Sequence, residues 1–129
     1  MDERLEFEIL NMDNVITHVV YDYESRKITV DNYGKSYIDS TILGLVEPTI
    51  DSIYAWFESR CFPRTRVDCD FLLNSIGLTE YSPYNIVRKT HGVLFDDRYW
   101  VRFKDEPHLN WVDVDPRRNP EIKASQDFS

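Results

Sequence analysis

The residues of this chain best suited to binding chemistry cluster in Trp56-Phe57-Glu58-Ser59-Arg60-Cys61-Phe62-Pro63-Arg64-Thr65-Arg66, where Arg60, Arg64 and Arg66 fall within seven residues around a proline corner. Guanidinium groups grip carboxylates and phosphates through paired N–H donors, and a helix beginning near Thr65 would add backbone N–H groups at the same place. That combination would make an anion site. The competing expectation, favoured in so acidic a chain, is that Arg60 and Arg66 pair with Glu58, Asp68 or Asp70 and fix the angle between two helices. A second run, Asp96-Asp97-Arg98-Tyr99-Trp100, sets two carboxylates side by side. A hard cation needs several more converging oxygens, so turn capping by one of these acids competes with metal binding. Asp113 and Asp115 are a weaker case of the same kind.

Other reactive groups point nowhere specific. Cys61 and Cys69 lack the C-x-x-C spacing of zinc or redox motifs and read as reduced structural thiols, which suits the cytoplasm. The three histidines are His18, His91 and His108, and no cysteine-hydrolase signature surrounds Cys61 or His91. A Gly-rich phosphate loop, a G-x-S-x-G elbow and a dinucleotide fingerprint are all missing from a sequence with four glycines. No catalytic residue, metal ligand or cofactor is assigned, and the expectation leans away from an enzyme.

Charge is distributed unevenly along the chain. Of a net charge of −8, residues 1–59 hold twelve acids against four bases, while residues 60–129 hold eleven of each. Residues 60–104 carry eight bases and five acids. An acidic half repels a phosphate backbone, which argues against direct nucleic-acid binding. Its carboxylates, Glu6, Glu8, Asp22 and Asp31 among them, either keep the protein in solution or stand in for phosphates as a decoy. No apolar run approaches the roughly 20 residues of a membrane span, and the acidic N-terminus does not read as a secretory signal.

The elements that must position these groups are legible in outline. Leu5, Phe7 and Ile9 alternate with Glu6 and Glu8 as in a half-buried strand, and a hairpin should pair about 15–22 with 27–31 across Glu24-Ser25-Arg26. Residues 33–46, punctuated by Gly34 and Gly44, fit neither period cleanly, and Tyr37–Leu45 reads as either a strand or an irregular crossing. Thr49 caps a helix carrying Ile53, Trp56 and Phe57 on one face; Thr65 caps a second with Val67, Phe71, Leu72 and Ile76 inward; Ser82-Pro83 opens a third that ends at Gly92. A strand at 99–103 follows, then an extended piece through Trp111, Val112 and Val114. The fold class is therefore α+β: an N-terminal antiparallel sheet packed against two or three helices and completed by late strands. One domain should span 1–115, with 116–129 a flexible tail. The expected core is Phe7, Ile9, Ile16, Val20, Ile28, Val30, Ile53, Trp56, Phe57, Phe71, Leu72, Ile76, Ile86, Val87, Tyr99 and Trp100.

The pattern Trp56…Arg60-x-x-Pro63-x-x-Arg66…Leu72-Leu73…Asp97-x-Tyr99-Trp100, followed by Trp111 and Asp113, resembles a small module of Gram-positive gut bacteria and their mobile elements, found ahead of HipA-like kinase domains. The resemblance spans roughly residues 15–115 and leaves no room for a kinase domain. It implies a binding or regulatory role in a phage or toxin–antitoxin setting, with a protein partner and no catalytic residue. Two alternatives stand beside it: an acidic mimic of nucleic acid that blocks a defence nuclease, as some anti-CRISPR proteins do, and a small metal-dependent enzyme using Asp96, Asp97 or the arginine corner.

Overall fold

The computed structural model describes residues 4–44 and 47–122. Strands β1 (Arg4–Asn11), β2 (Asn14–Asp22), β3 (Lys27–Asn32) and β4 (Tyr99–Phe103) form one antiparallel sheet in the order β3-β2-β1-β4. Helices α1 (Tyr37–Ser40), α2 (Ile50–Ser59), α3 (Cys69–Ser75), α4 (Pro83–Thr90) and α5 (Trp111–Val114) complete the α+β fold. The expected hairpin holds, with Asp22 paired to Lys27 and Thr17 to Asn32. Asp22 organises its turn, accepting the backbone N–H groups of Glu24 and Ser25.

Alternation in β1 sends Leu5, Phe7 and Ile9 inward, where Phe7 meets Phe57 of α2 with ring centroids 5.0 Å apart. Helix α2 starts at Thr49, whose hydroxyl accepts from Ser52 N–H while Ser52 accepts from Thr49 N–H. Helix α4 is capped by Ser82, has Pro83 in its first turn, and ends on His91 in the left-handed region at φ 59°. Ile86 and Val87 of α4 are fully buried with the sheet and α2.

A bulge separates expectation from structure in β2. Ile9 pairs with Thr17 but Leu10 with Val15, so Ile16 is the extra residue. The inserted residue reverses the in–out parity, burying Val19 and leaving Val20 on the outer face, against its expected core role. Plain alternation in β1 points Leu10 to the side opposite Ile9, where it joins Val93, Trp100, Trp111 and Val114 in a second, smaller cluster. Trp56, Ile76 and Tyr99 pack against the main core while only partly buried.

Two further expectations are corrected. Thr65 caps no helix: the chain first makes two tight turns (Arg66 N–H to Pro63 O, Cys69 N–H to Arg66 O), and α3 begins at Cys69. That start points Leu72 and Leu73 inward and leaves Phe71 72% exposed and Val67 fully exposed. Trp111–Val114 is helical rather than extended, because the Asp113 carboxylate accepts the Asn110 N–H and holds a first turn. Beyond it, Pro116 is buried and Ile122 packs on the second cluster, while residues 123–129 lie outside the described residues.

Candidate functional site

The arginine corner is a joint between elements. Arg60, the C-cap of α2, is 5% exposed. Its Nε donates to Gly92 O at 2.7 Å, and Nη1 and Nη2 donate to the two carboxylate oxygens of Asp97 at 2.8 and 2.7 Å. Nη2 also donates to Tyr99 O, and the Trp56 ring lies 5.6 Å from the guanidinium carbon. One side chain thus ties the end of α2 to the turn after α4 and to the start of β4. Asp97 in turn accepts the Tyr99 N–H, so both its oxygens are engaged within the fold. This leaves neither Arg60 nor Asp97 open for an anion or a cation without breaking buried hydrogen bonds.

The remaining arginines serve local contacts. Arg66 pairs with Asp68 at 2.8 Å, as the sequence suggests, and Arg64 stacks 4.4 Å over the Tyr81 ring. Tyr81 donates to Phe62 O, and burial above all pushes its hydroxyl up to about 12, so it stays protonated. The Cys61 thiol is buried, donates toward Phe57 O, and is likewise pushed up to about 12 by burial, which favours the protonated thiol. Among the described residues no group of three or more His, Cys, Asp or Glu side chains is placed to hold a metal. No helix there is long and apolar enough to cross a membrane.

The four acids considered as phosphate stand-ins lie on the outer sheet face or at its hairpin, and bases lie among them. Glu6 meets His18 Nε2 at 2.9 Å and Lys104 at 3.7 Å; Glu8 meets Arg102 at 2.9 Å. Asp22 is occupied by its turn and lies 3.8 Å from Arg4, and Asp31 lies 3.8 Å from His18 Nδ1. Because β4 pairs with β1, the basic segment of the sequence is threaded beside the acidic one. At the sheet, the charge split along the chain is therefore not a split in space.

A different surface emerges from the segment that fits neither period. Residues 33–40 leave β3, and Ser36 caps the single turn α1 by accepting the Asp39 N–H. None of the residues of α1 is buried. Tyr33, Tyr37 and Ile38 are 58%, 71% and 63% exposed. Yet the turn is firmly anchored. Tyr99 donates its hydroxyl to Asp39 at 2.6 Å, and Asn32 donates its amide to Ser40 O. Burial and this hydrogen bond push the Tyr99 hydroxyl up to about 12, which keeps the donor protonated. Gly34 closes against Asp39 so tightly that an added Cβ would sit 2.7 Å from its main chain. An open groove bounded by Asp13, Val15, Tyr33, Lys35 and Asp39 runs beside it. The sequence signal for this surface is modest: aromatic residues in a stretch that no core periodicity can bury.

No family model, curated protein or solved structure matches the chain.

Proposed function

We propose that the chain is a non-catalytic protein-binding module, regulatory in role, that presents the turn at residues 33–38 to a protein partner. The observation carrying this reading is that α1 buries nothing while hydrogen bonds from Tyr99 and Asn32 hold it in place. Exposed tyrosines and an isoleucine on a pre-ordered turn supply apolar contact area with little entropy left to lose, the property of interface anchors. The resemblance to modules ahead of HipA-like kinase domains supports a regulatory setting in a phage, toxin–antitoxin system or other mobile element, acting in the cytoplasm. Its signature residues Trp56, Arg60, Asp97 and Tyr99 form the joint that fixes α2 and β4, and Tyr99 extends that joint to α1. The acidic-mimic alternative has less support, since Glu6 and Glu8 are paired to His18 and Arg102 on the same face. A metal-dependent enzyme is supported less still, since Arg60 engages both Asp97 oxygens.

The test is co-purification from extract of the native host, comparing wild type with a Tyr37→Ser/Ile38→Ser double variant. The wild type should retain a stoichiometric protein partner, and the double variant should lose it with an unchanged melting curve. Recovery of the same partner by both proteins, or of none by the wild type, would sink the proposal.

A further inference from the structure

On the inner sheet face, Ile28 and Val30 stand in register with Tyr21 and Val19, yet they are only partly buried. A cavity of about 300 Å³ opens over them, walled by Ile42, Leu43 and Pro48 on the crossing from α1 to α2. Thr17, 1% exposed, lines the same cavity, and its Oγ1 has no hydrogen-bond partner. Leaving a buried hydroxyl unpaired is unfavourable, so a fold that keeps one beside a cavity holds a polar anchor there. Asn32 is not a second anchor: its amide donates to Ser40 O and its carbonyl accepts the Gly34 N–H. Glu47 places an exposed carboxylate in the lining.

We propose that this cavity is a binding site for a small uncharged molecule with one hydroxyl or amide head on a hydrocarbon body. The head would meet the Thr17 hydroxyl, which can donate or accept. The body would cover Ile28 and Val30 and remove their remaining apolar surface from water. The volume lies at the lower end of the roughly 300–1,000 Å³ of ligand pockets, which suits a small occupant. Glu47 disfavours a carboxylate by like-charge repulsion, so the site discriminates by charge as well as size. This site faces the inner side of β2 and β3 and does not depend on the protein-binding role of α1.

Titration with cyclohexanol, followed by the methyl NMR signals of Ile28, Val30, Ile42 and Leu43, tests the assignment. Saturable shifts confined to those methyls are expected in the millimolar range. Thr17→Val, which keeps the shape and removes the hydroxyl, should weaken binding by about five-fold or more, and Val30→Phe should abolish it by filling the space. Cyclohexanecarboxylate should bind more weakly than cyclohexanol. Absence of saturable shifts in the wild type would overturn the proposal, as would unchanged affinity in Thr17→Val with the melting curve intact, or a carboxylate that binds as tightly as the alcohol.

Discussion

At the scale of single residues, the heaviest electrostatic consequence belongs to Arg60. Removing Asp97 strands a guanidinium that is 6% exposed in its side chain, whereas the Asp97 side chain itself is 30% exposed. With that partial exposure discounted, Asp97→Ala should cost about 2–4 kcal/mol in urea unfolding. Asp105→Ala breaks an equally short pair with Arg88, but Asp105 is 62% exposed and the loss should stay under about 1 kcal/mol. His91 supplies a pH test. Burial holds its pKa below the usual histidine value; nearby Arg88 acts the same way, and Glu106, 4.0 Å away, opposes them. As pH falls, the unfolded chain therefore takes the proton first. The stability that neutral His91 contributes is complete above about pH 6.5 and is lost as pH drops below that value toward the folded pKa. Urea midpoints at about pH 7.5 and 5.5 should differ more for wild type than for His91→Asn, a replacement that tolerates the left-handed backbone. The sequence located Arg60 and Asp97 but not their union. They are 37 residues apart, and the sequence expectation was limited to acids close by, at Glu58, Asp68 and Asp70.

Among the elements, those with strong local rules were legible and those that depend on tertiary contacts were not. Alternation in β1, the Thr49 and Ser82 caps and the β4 apolar run each specify their element locally. The bulge in β2 cannot be read from Val-Ile-Thr-His-Val-Val, because either parity places β-branched residues inward. Helix α3 illustrates the same limit. Thr65 is a sound cap residue, yet Leu72 and Leu73, rather than Phe71, reach the core. Leu73→Ala should therefore cost about 2–5 kcal/mol, while Phe71→Ser should leave the urea midpoint nearly unchanged. The β1–β2 turn carries strain that can be relieved. Met12 sits at φ 55° and is 42% exposed, so Met12→Gly should raise stability by about 0.5–1 kcal/mol in thermal melts.

For the molecule as a whole, topology decides what composition could not. An acidic first half and a basic middle suggest opposed faces, but pairing β4 with β1 brings Arg102 and Lys104 beside Glu8 and Glu6. The face that would imitate a phosphate backbone is therefore interrupted by cations. The surface proposed for a partner is the anchored turn at Tyr33, Tyr37 and Ile38, in the stretch whose sequence fits no period. Site-specific photo-crosslinking tests that central claim most directly, with benzoylphenylalanine installed at Tyr37 or, on the outer sheet face, at Thr29. In cells of the native host, the Tyr37 probe should give one discrete protein adduct and the Thr29 probe none. An adduct from Thr29 alone, or from neither position, would contradict the account.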